Sequence, residues 1–124
     1  MSSKLFLFWC LSILAVNVVV QKASHPVSVM QINAHWNEEN SLYLDSLSRC
    51  NTYYEWFEDQ PKSVRDNLPT LPIVVIYWED EEVATFTGNI TLRSPTTLDS
   101  IQNIIDSLYL ERDRYDNRPL LSYP

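Results

Sequence analysis

From Pro26 onward the apolar residues of this chain switch repeatedly between strand-like runs and helix-like spacing. Val27 to Ile32 is a short run of β-branched and apolar residues, which predicts a strand. Leu44, Leu47 and Cys50 then recur at helical spacing with Tyr43 beside them, which predicts a helix over about 38–50. Asn37 stands where a cap would accept the free amides of that first turn, followed by Glu38 and Glu39 at its positive end. "NTYYEWFED" is aromatic and strand-like, and its Asp59 precedes a short helical stretch, "QPKSVRDN", with Pro61 in the first turn. The unbroken run Ile73 to Trp78 predicts a strand covered on both faces, and "EVATFT" follows an acidic turn as its hairpin partner. After Gly88, Pro95 opens a last helix whose stripe is Leu98, Ile101, Ile104, Ile105 and Leu108. The resulting order, β-α-β-α-β-β-α, implies an α/β sandwich on one central mixed sheet.

The N-terminal stretch departs from that alternation. Lys4 precedes an apolar run, Leu5 to Val20, and small residues follow at Ala23 and Ser24. This is the grammar of a secretory signal, in a run shorter than the roughly 20 residues that span a bilayer. Ala23 has Gln21 where a small residue is preferred and Ala15 is a competing cleavage site, so a retained signal anchor is the alternative. The expected division is 1–24 signal peptide or anchor, 25–112 a single domain, and 113–124 a flexible tail that has lost periodicity.

Composition changes the picture at three points. A formal charge of −7 argues against nucleic-acid backbones as partners. A single glycine leaves no material for a glycine-rich phosphate loop. Of two cysteines, Cys10 lies in the leader, so the domain holds only Cys50 and no internal disulfide. Cys50 is then either a buried apolar thiol or a bridge to a second chain, a disulfide-linked dimer. His25 and His35 have no cysteine near them, and Glu79 to Glu82 is four acids in a row without the spaced ligands of a calcium loop. Neither motif predicts a metal site or a cofactor. Asn89-Ile90-Thr91 is an N-glycosylation acceptor just past the hairpin, which together with the leader favours the secretory route.

Several words of the sequence resemble thioredoxins. "HPVSVMQINAHW" is similar to the strand that leads into Trp-Cys-Gly-Pro-Cys, "FEDQP" to the Asp-x-x-Pro turn, and "LPIVVIYWEDEEVATFTG" to the Pro-Thr–strand–turn–strand–Gly segment. The resemblance covers about residues 26–109 and lacks the family's first strand and helix. It implies a thioredoxin-like three-layer sandwich in which Pro72 takes the place of the cis-proline facing the active site. Family members exchange disulfides through a low-pKa thiolate and a resolving cysteine three residues on. Aligned on Trp36, those two positions fall on Asn37 and Asn40, with Glu38 and Glu39 between them, and the family's buried aspartate falls on Gln31. An ordinary helix start would use the same residues. Both readings predict no redox chemistry at this site and no catalytic residue. Cys50 as a monothiol catalyst is the weakest alternative, since it would sit at the helix end whose dipole opposes a thiolate.

The family binds extended polypeptides against the cis-proline loop and the active-site tryptophan, through contacts that need no sulfur. The resemblance therefore implies a binding surface of Trp36, Asn37, Glu38, Glu39, Asn40, Thr70, Leu71 and Pro72. The expected function is a redox-inactive, secreted or endoplasmic-reticulum-lumenal binding or chaperone-like module for a protein or extended peptide segment. A membrane-anchored assembly protein using the same domain, held by residues 5–20, is the alternative.

Overall fold

The computed structural model describes residues 25–88 and 91–116. They form one mixed sheet from β1 (Val27–Asn33), β2 (Asn51–Trp56), β3 (Ile73–Trp78) and β4 (Glu81–Thr87), in the order β2-β1-β3-β4. β1 runs parallel to β2 and antiparallel to β3, and β3 pairs antiparallel with β4. α1 (Lys62–Arg65) lies in the connection between β2 and β3, and α2 (Leu98–Asp116) closes the chain. The fold is α/β on one mixed sheet, as the order of strand signals predicts, and thioredoxin-like, as the resemblance implies. Among the described residues no helix is long and apolar enough to cross a membrane.

Strand alternation sends the buried side chains into two cores. Met30, Ile32, Ala34, Ile73, Val75 and Tyr77 point to one face, which Phe57, Leu68 and Leu71 cover from the connection that contains α1. Val27, Val29, Val74 and Ile76 point to the other, where Ile101 and Ile105 of α2 meet them. Both isoleucines are fully buried, so truncating either to alanine removes on the order of 2–5 kcal/mol of packing. β1 and β3 are covered on both sides, which is why β3 reads as a continuous apolar run and β1 carries buried apolar residues on both of its faces.

The predicted helix over 38–50 is not there. The chain instead makes two 3-10 turns, His35–Asn40 and Leu44–Ser46, separated by extended residues. Asn37 is not a helix cap: it sits inside the first turn, whose start at Ala34 has no side-chain cap bond. The composition explains the outcome. Asn37, Asn40, Ser41, Asp45, Ser46 and Ser48 all carry side chains that compete with the backbone for hydrogen bonds. The apolar residues still reach their target, because Leu44, Leu47 and Cys50 all pack on the α2 side of the sheet. A smaller difference lies at α2, which starts at Leu98 rather than Pro95. Thr97 caps it, its hydroxyl accepting the Ser100 amide at 3.1 Å. The helix also continues to Asp116, past the expected domain end at 112, with the Arg112 guanidinium 5.0 Å over the Trp78 ring.

Candidate functional site

Two asparagines in the "NAHWNEEN" stretch are buried, and burial obliges every polar atom to find a partner. Asn33, at the end of β1, donates to the Asn37 carbonyl at 2.9 Å and to the Ser41 hydroxyl at 2.8 Å. Asn37 donates to the Asn33 side-chain oxygen at 3.0 Å and to the Leu92 carbonyl at 2.9 Å. Its own oxygen accepts from Asn40 at 2.7 Å. Both amide hydrogens and the oxygen of Asn37 are therefore engaged. Two residues earlier in β1, Gln31 clamps Leu42, accepting its N–H at 2.9 Å and donating to its carbonyl at 3.0 Å. Side-chain amides thus supply the partners that an α-helical ladder would have supplied.

The network fixes the surroundings of the proline loop. The Leu71–Pro72 bond is cis, as the resemblance implies, and both residues are buried. Thr70 donates its hydroxyl to the Gly88 carbonyl. A Cβ on Gly88 would lie 3.1 Å from the Leu71 carbonyl oxygen and 3.3 Å from that of Arg93, so any larger residue must push these backbones apart by a few tenths of an ångström. Leu92, whose carbonyl Asn37 holds, is the residue before Arg93 and has a left-handed φ of 59°. The 92–93 backbone therefore lies between Asn37 on one side and the Gly88–Leu71 contact on the other.

Over this buried frame the surface is aromatic and acidic. Trp36 is 64% exposed, and Glu38 and Glu39 are exposed beside it. His35 stacks on Trp56 with ring centroids 3.8 Å apart, and its backbone N–H is taken by both carboxylate oxygens of Glu58 at 2.9 and 3.2 Å. Of the predicted surface residues, Trp36, Glu38 and Glu39 are exposed and Asn40 and Thr70 are partly so. Asn37, Leu71 and Pro72 are buried, so they shape the surface rather than line it. Asn89 lies outside the described residues.

Asn33, Ser41, Leu42 and Leu92 escaped the sequence reading, although polar Gln31 and Asn33 at alternate positions of an apolar strand are a visible signal. Cys50 is half-buried, and burial pushes its thiol up to about 11. The cause is desolvation, not the helix dipole that the predicted helix would have supplied. Among the described residues no three His, Cys, Asp or Glu side chains gather as metal ligands would.

What makes the fold thioredoxin-like is the strand order β2-β1-β3-β4 with this pairing, and a cis-proline entering β3. No family model and no curated protein matches the sequence. Among solved structures, the chain is similar to a mutant thioredoxin from Halobacterium salinarum NRC-1. Identity is 14% and the TM-score 0.49, over 67% of this chain and 74% of that one. It is also similar to a designed protein at 19% identity and a TM-score of 0.49, over 69% of this chain and 83% of that one.

Proposed function

We propose that this chain is a redox-inactive thioredoxin-like protein of the secretory pathway, in which amides have replaced the Cys-x-x-Cys pair, and that it works by binding extended polypeptide segments. The observation that carries the reading is Trp36, 64% exposed on a turn whose underside is a closed hydrogen-bond network. A large aromatic held out to solvent on a rigid base costs little entropy when a partner covers it. Glu38 and Glu39 at its rim favour a segment bearing lysine or arginine. The absence of thiol chemistry is supported by amides at both aligned positions and by a lone Cys50 held as a neutral thiol. The secretory assignment rests on the leader and on the acceptor sequence at Asn89.

The test is a panel of extended basic and apolar peptides titrated against the wild type and Trp36→Ala. An anchor of this kind is worth about 1–3 kcal/mol, while the exposed position predicts a change in stability within about 0.5 kcal/mol. Equal peptide affinity in both proteins would remove Trp36 from the site. Intact mass of the secreted product, before and after sugar removal, tests the loss of the leader and the occupancy of Asn89.

A further inference from the structure

The sheet has two edges, and they are treated differently. β4 carries Glu81 and Glu82 at its start, and its pairing with β3 is broken by an irregularity between Ile76 and Tyr77. Charge and bulges are the usual means of blunting an edge against strand addition. β2 has neither a lysine, a proline nor a bulge: its parallel register with β1 is unbroken from Ser28↔Asn51 to Asn33↔Trp56. Among the described residues its outer side pairs with no strand.

The side chains along that edge point to one chemistry. Tyr54 is 44% exposed, and Tyr53 and Trp56 are partly so. Between them Glu55 is half-buried and bonded to Gln60, and burial, with the nearby charge of Asp59, raises its carboxyl above the ordinary range. The basic residues that flank the strand in sequence are committed elsewhere. Arg49 lies 3.9 Å over the Tyr109 ring and 3.7 Å from Asp106, and Lys62 is 2.7 Å from Asp66. Asp45, Glu58 and Asp59 complete the neighbourhood, with Asp45 accepting the Thr52 hydroxyl at 3.2 Å. The edge is aromatic and acidic, with its cation missing from the nearest candidates.

We propose that the outer edge of β2 receives an extended, lysine- or arginine-bearing polypeptide segment, which joins the sheet as a fifth strand with a cationic side chain against Glu55. This edge meets the surface around Trp36 at its far end, where Trp56 stacks on His35. Side chains of an added strand alternate, so those beside Tyr53 and Glu55 lie on one face and those beside Tyr54 and Trp56 on the other. The segment that fits alternates basic residues, facing Glu55, with β-branched or apolar ones, facing Tyr54. Backbone bonds supply affinity and this alternation supplies selectivity.

The test titrates the full chain with a capped nonapeptide of alternating lysine and valine, following the amides of residues 51–56 by hydrogen exchange. Binding should protect the alternate amides that point away from β1. N-methylation of alternate peptide residues should abolish binding in one register and spare it in the other. Glu55→Lys should weaken binding at least tenfold, and the milder Glu55→Gln severalfold, so a misfolded charge reversal does not end the experiment. Equal binding by both N-methylated peptides, or by the glutamate–valine counterpart, overturns the proposal. So does protection, in the free chain, of the 51–56 amides that point away from β1, whether by its own N-terminal segment or by a second copy seen in sedimentation.

Discussion

The side chain of Asn37 donates to the backbone carbonyl of Leu92, 55 residues later, at 2.9 Å. That bond ties the turn after β1 to the loop after β4, and Asn33 holds Asn37 from below. Asn37→Ala leaves a buried acceptor on Asn33 and a partly buried one on Leu92 without their donor. The expected loss is about 2–4 kcal/mol, because each unsatisfied buried group costs about 1–3. Asn40→Ala should cost only about 1 kcal/mol, since it leaves a single acceptor, the Asn37 oxygen of a part-buried bond, without its donor. Urea unfolding of both variants measures the contrast, and equal losses would show that the buried network does not hold this turn.

The strands and the proline loop were legible because their signals are local. Ile73 to Trp78 is a continuous run of β-formers that ends where the observed strand ends, and Pro72 precedes it as the resemblance implies. The turn region was not legible, because helical spacing and hydrogen-bond capacity disagree there. Leu44, Leu47 and Cys50 satisfy a 3.6-residue period, and they do reach one core. Spacing alone does not reveal that Gln31 would claim the backbone of Leu42, eleven residues away. The site was half legible for the same reason. Exposed Trp36 and the acidic pair follow from their residue types, whereas the burial of Asn37 depends on Leu92, which no local pattern links to it.

The hairpin turn offers a direct gain in stability. Glu79 and Asp80 join β3 to β4 between the paired residues Trp78 and Glu81, and Glu79 has a φ of 56°. A side chain in that left-handed region crowds the backbone, and glycine at the first position of a two-residue hairpin does not. Glu79→Gly should therefore raise stability by about 0.5–1 kcal/mol, net of the extra freedom glycine adds to the unfolded chain. An unchanged or lower melting temperature would contradict this.

Cys50 should react slowly. With its thiol pushed up to about 11 from a usual 9.0, the thiolate fraction near neutral pH falls about a hundredfold. Alkylation by iodoacetamide, followed residue by residue by mass spectrometry, should be about a hundredfold slower in the native protein than in urea. The native rate should climb about tenfold per pH unit until the solution approaches the shifted value. A native rate equal to the unfolded one would place the thiol in water, and would reopen an intermolecular disulfide as a ready reaction.

Glu55 gives the pH dependence a definite sign. Burial, reinforced by Asp59, raises its folded-state carboxyl above the value it has in the unfolded chain. The folded protein then holds a proton that the unfolded chain has already released, so this residue's contribution declines as pH rises from the ordinary carboxylate value of about 4.3 through the raised one. Above that window the full penalty of a half-buried charge is present; below it, both states are protonated and the penalty vanishes. Glu55→Gln keeps the shape and the bond to Gln60 without the charge. It should raise the urea midpoint at about pH 7 and leave it unchanged near pH 3, below the ordinary carboxylate value. A variant less stable than wild type at neutral pH would mean that a cation already meets Glu55 within the chain, and the open edge of β2 would lose the unmatched charge that makes it selective.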